Sequence, residues 1–98
     1  MNRARFLEEA EAEFLWEVEY YTNVQSSAGT RFRIAVEEAA RRALAFPLAG
    51  QPYRFQTRRV FVRRFPFYLV YRPEEDGIVI LAVVHEARRP GYWLSRAQ

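Results

Sequence analysis

The chain is 98 residues long and half of it is apolar, enough for one modest core and a single domain over residues 1–98. It has no cysteine and one histidine, which excludes disulfides, thiolate chemistry and cysteine- or histidine-rich metal sites, so neither cofactor nor metal is expected. Its 15 basic residues are all arginine against 12 acids, a net charge of +3, and no apolar run approaches the ~20 residues of a bilayer span, so the expectation is a soluble, cytoplasmic protein without a membrane partner.

In chain order, residues 3–7 form a short candidate strand. From residue 8 to about 23, Phe14, Leu15, Val18 and Tyr21 recur at helical spacing with glutamates at 9, 13 and 17 on another face. A second helix is expected to begin around "SSAGT", where Ser26, Ser27 or Thr30 can cap it, and to run through Phe32, Val36, Ala39, Ala43 and Phe46 to a stop at Pro47. The linker is short, so the two form an antiparallel hairpin. "PLAGQPYRF" reads as a loop. Beyond it the period changes to two, and "TRRVFVRRF" places Val60 and Val62 on one face with Arg58 and Arg64, and Phe61 on the other with Arg59 and Arg63. "FPFYLVYR" is the next strand, "PEEDG" a turn, and "IVILAVVHEA" a central strand covered on both faces. The expected class is α+β: an N-terminal strand and helical hairpin packed on a small, mainly antiparallel sheet of about four strands. One face carries the hairpin. The other, or the groove where the arginine strands meet the C-terminal tail, is left for a partner.

Charge is segregated along this order. Residues 1–30 hold two arginines and six glutamates, whereas residues 31–98 hold 13 arginines and six acids. Six arginines and no acid lie between Tyr53 and Arg72. Arginine keeps its charge when partly buried and fits phosphate and carboxylate with a planar fork, so this clustering points to an acidic or polyanionic partner. The stretch "HEARRPGYW" gathers the single histidine, Arg88, Arg89, Tyr92 and Trp93. His85 is the one side chain whose ordinary pKa suits acid–base work near neutrality. Each has a plainer role as well: a hydrogen-bonded structural histidine, a Pro-Gly turn, and aromatic rings that pack the tail onto the sheet. Arg58, Arg59, Arg63 and Arg64 alternate across two faces and cannot all line one site.

The element order, together with "FPLAGQPYR", "RRVFVRRFPFYLVYR" and "ILAVVHEARRPGYW", resembles the RelE/ParE superfamily of type II toxin–antitoxin toxins. "RRFPFYLVYR" and "HEARRPGYW" look like its ParE-like, plasmid-stabilisation branch. The resemblance implies a cytoplasmic toxin neutralised in a hetero-oligomer by a cognate antitoxin, acidic and partly disordered when free. It also implies one of two activities, ribosome-dependent cleavage of messenger RNA or inhibition of DNA gyrase. Cleavage would need a base, an acid and positive charge on the phosphorane-like transition state. His85, Arg64, Arg88 and Tyr92 are the candidates for those roles. RelE-like nucleases, however, commonly place lysines on the strands, and this chain has none; arginine does not lose its proton at neutral pH. Tyr68 also stands where such nucleases tend to carry an arginine. Binding is therefore favoured over bond cleavage, through Arg58, Arg59, Arg63, Arg64, Arg88, Arg89 and Trp93. A third reading is an interaction domain without toxicity.

Overall fold

The computed structural model describes residues 2–98. Its elements run β1 (Arg3–Phe6), α1 (Glu8–Val24), α2 (Ser26–Ala45), β2 (Gln51–Pro52), β3 (Arg58–Val62), β4 (Phe67–Glu74) and β5 (Gly77–His85), with 3₁₀ turns at Arg54–Gln56 and Leu94–Ala97. The strands form one sheet in the order β1-β5-β4-β3-β2, with β1 parallel to β5 and the other pairs antiparallel. The α+β class and the hairpin agree with the sequence reading, but the sheet has five strands where about four were expected. The addition is β2, which pairs with Arg58 and Arg59 inside the segment read as loop. Two residues carry no readable period, and Pro52 is tolerated because it sits on an outer edge that needs no N–H from it.

Gln25 alone connects the helices, in an extended conformation. The serines expected as caps lie inside α2: Gln25 takes the N-cap position, and Ser27 Oγ accepts from the Arg31 guanidinium at 2.9 Å. The helices approach closely at Gly29, where a Cβ would run into Thr22 Oγ1. Phe32, Val36, Ala39 and Ala43 form the buried stripe of α2, and Phe14, Val18 and Tyr21 of α1 pack against the same core. Phe32 is its aromatic hub, with ring centroids 5.0 Å from Tyr21, 5.0 Å from Phe67 and 5.2 Å from Phe65. Each such buried side chain contributes about 1.5–3 kcal/mol relative to exposure.

β5 is covered on both faces, as its unbroken apolar run requires. Its alternation is interrupted by a bulge: Val70 pairs with Ala82 and Tyr71 with Ile80, leaving Leu81 without a partner residue. Ile78, Ile80 and Val83 therefore face the helices, while Val79, Leu81, Ala82 and Val84 face the opposite side. That second face is covered in part by the tail, which fits the double burial read for this strand and the packing role open to Tyr92 and Trp93, and leaves less of it for a partner. Trp93 and Ala97 of the C-terminal tail, with Tyr53, Tyr92 and Leu94, pack over it.

A second correction concerns the arginine strand. β3 ends at Val62, and residues 63–66 turn, with Arg64 at φ +72°. Arg63 and Arg64 therefore leave the strand and escape the two-face alternation read from the sequence.

Candidate interaction surface

Backbone pairing brings the two arginine-bearing loops together. The N–H of Glu86 donates to the carbonyl of Pro66 at 2.8 Å, which lays the loop after β5 beside the β3–β4 turn. Arg63, Arg64, Arg88 and Arg89 thereby share one end of the sheet, all exposed. Among the described residues, the ion pair made by this quartet is Arg63 with Glu38, at 3.6 Å. Beside it lie two separate open hollows: one of about 530 Å³ lined by Arg31, Ile34, Ala35, Glu38, Arg63, Arg64 and Phe65, the other of about 330 Å³ lined by Trp16, Glu17, His85 and Arg88 among others. Half-exposed Ile34 and partly buried Phe65 give the first hollow an apolar floor under a cationic rim.

Arg58 and Arg59 lie at the other end of β3 and are engaged in holding the chain. The Arg58 guanidinium donates to the carbonyls of Leu48 (3.0 Å) and Gly50 (2.8 Å). Arg59 donates to Gln51 Oε1 at 2.6 Å and lies 4.4 Å above the Tyr53 ring, with Phe61 and Tyr68 each 5.2 Å away. Both secure the β2 loop to β3. Trp93, expected at the binding surface, is fully buried against Tyr53 and presents no surface to a partner in this conformation. Its large ring is what fastens the tail to the sheet.

The bulge at Leu81 turns His85 toward the helices. Its Nδ1 accepts the N–H of Ala87 at 3.0 Å, so the proton of the neutral ring resides on Nε2. The ring meets Phe67 edge-on at 4.9 Å. Across the cavity, burial raises the Glu17 carboxyl above its ordinary value, opposed by its neighbours His85 and Arg88. Tyr92 donates to the carbonyl of Val83 at 3.3 Å, and the Arg88 guanidinium lies 3.9 Å over its ring. Burial first, then Glu13, pushes the Tyr92 phenol far above its usual pKa. The nuclease candidates His85, Arg88 and Tyr92 are thus close together, with Arg64 in the adjoining turn, but the Tyr92 hydroxyl is tied to the backbone and poorly disposed to give up its proton.

Two further residues went unnoticed in the sequence. β1 pairs with β5 only as far as Ile80, so the remaining edge of β5 needs other partners. Glu13 accepts the N–H of Val83 at 3.0 Å, Arg96 donates to the carbonyl of Leu81 at 3.0 Å, and the two side chains form a two-pronged ion pair at 3.0 and 3.1 Å. They lie 83 positions apart, and no short motif could link them. The outward side of α1 was missed too: Trp16, Tyr20 and Val24 are exposed, although their spacing of four could have been read as a stripe.

Comparison with known proteins supplies the family. A search of curated proteins found no match. The fold is similar to a solved structure described as the chromosomal ParDE TA system from P. aeruginosa, with a TM-score of 0.75 at 17% identity over 87% of this chain and 96% of that one. A family model described as ParE toxin of type II toxin-antitoxin system, parDE, matches residues 4–90. With sequence pattern, topology and family model in agreement over most of its length, the chain belongs to the ParE toxin family.

Proposed function

We propose that the chain acts by binding a target such as DNA gyrase, and that a cognate acidic antitoxin silences it by lying across the arginine end of the sheet. The observation that carries this reading is the convergence of Arg63, Arg64, Arg88 and Arg89 beside a groove floored by Ile34 and Phe65. A disordered acidic segment that folds there buries apolar groups while matching the guanidinium forks. The absence of lysine from the sequence and the engaged hydroxyl of Tyr92 favour binding over RNA cleavage.

The test is a parallel assay of the purified protein on gyrase supercoiling and on programmed ribosomes, with and without antitoxin. Supercoiling should be inhibited, transcripts should stay intact, and antitoxin should restore supercoiling. Normal supercoiling at saturating protein would remove gyrase as the target. Transcript cleavage abolished by His85→Ala would replace the proposal with the nuclease reading.

A further inference from the structure

Helix α1 is apolar on two sides, and the fold uses only one. Phe14, Val18 and Tyr21 enter the core, whereas Trp16, Tyr20 and Val24 recur every four residues on the outward side and are 71%, 56% and 67% exposed. Isolated exposed apolar residues are ordinary, but a Trp-Tyr-Val ridge one helical step apart is a contiguous patch of the kind that partners cover. Its surroundings are acidic except beside Trp16, where His85 and Arg88 line the same hollow. The segment Glu8–Val24 contains no basic residue, and among the described residues Glu8, Glu9, Glu11, Glu17 and Glu19 make no ion pair. Glu19 and Asn23 border a shallow hollow between Trp16 and Tyr20.

We propose that this ridge receives a basic, apolar-anchored segment of the toxin's protein target. This inference rests on the toxin reading and gives the chain two faces of opposite charge, the arginine end for the antitoxin and α1 for the target. Charge complementarity selects the occupant. An acidic antitoxin or a nucleic acid is repelled by the unpaired Glu9, Glu17 and Glu19 nearest the ridge. Two copies joined ridge to ridge would bring those glutamates together, and joining the ridge of one copy to the arginine end of another would occupy the surface assigned to the antitoxin and generate rings or filaments. A cationic helix with apolar residues at i and i+4 matches both the spacing and the sign.

The sequence has no cysteine, so Tyr20→Cys introduces a unique thiol on the ridge and Arg63→Cys one on the arginine end. In the purified toxin–antitoxin complex, alkylation at position 20 should proceed as in the free toxin, while position 63 should be protected. In a sensitive host, Tyr20→Ala with Val24→Ala, and separately Glu9→Arg with Glu19→Arg, should weaken growth arrest by roughly tenfold or more in dose, as loss of interface anchors does. Melting temperature and antitoxin affinity should stay unchanged. Full arrest by both variants would overturn the inference while leaving the toxin reading standing, and so would antitoxin protection at position 20. An expressed wild-type chain that arrests nothing would defeat both.

Discussion

Glu13 illustrates how much one side chain can hold. Its carboxylate closes an open stretch of the β5 edge and pairs with Arg96, and both side chains are only 16% exposed. Removing one member of such a pair leaves a partly buried charge without a counterion. Glu13→Ala should therefore lower unfolding stability by about 3 kcal/mol, read from urea denaturation. The contrast is the Arg33–Glu37 pair on α2, whose side chains are 47% and 44% exposed. There solvent screens the attraction, and Arg33→Ala should cost no more than about 0.5 kcal/mol. Equal losses in the two variants would show that the Glu13–Arg96 pair is not what secures the tail.

At the scale of elements, close contact between α1 and α2 depends on a missing side chain. A Cβ at Gly29 would run into Thr22 Oγ1 and would lie 2.9 Å from the Thr22 Cβ. Alanine normally favours a helix interior over glycine by up to about 1 kcal/mol. Here the clash should reverse the sign: Gly29→Ala should destabilise by about 1–3 kcal/mol, measured by thermal or denaturant unfolding. A stabilised variant would mean that the hairpin can open at no cost. The bulge at Leu81 shows a different dependence. An alternation carried straight through β5 would aim His85 at the tail side of the sheet; one extra residue aims it at α1, where it shares a cavity with Glu17 and Arg88.

Across the whole molecule, charge separates by position. The outward side of α1 is acidic, and the loops at one end of the sheet are basic. If the arginine end is where the antitoxin lands, association should slow as salt rises, and Arg64→Ala with Arg89→Ala should lower both the association rate and its salt dependence. Arg58→Ala should instead weaken folding with little effect on association, because that guanidinium holds the carbonyls of Leu48 and Gly50. Stopped-flow association at several salt concentrations, beside a melting curve for each variant, distinguishes the two effects.

The sequence by itself determined the class of the fold, the helical hairpin, the buried strand β5 and the segregation of charge, because periodicity and composition are local properties of the chain. Phe32 and Val36 announce their helix face, and the run from Ile78 to Val84 its double burial, without reference to anything distant. Only the tertiary structure decided that Arg63 and Arg64 leave β3 to join Arg88 and Arg89, that Arg58 and Arg59 stay behind as tethers, that His85 faces the helices, and that Trp93 disappears into the second core. Those outcomes depend on a turn, a bulge and pairings such as Glu13 with Arg96, whose energies exist only once residues far apart in the chain are brought into contact.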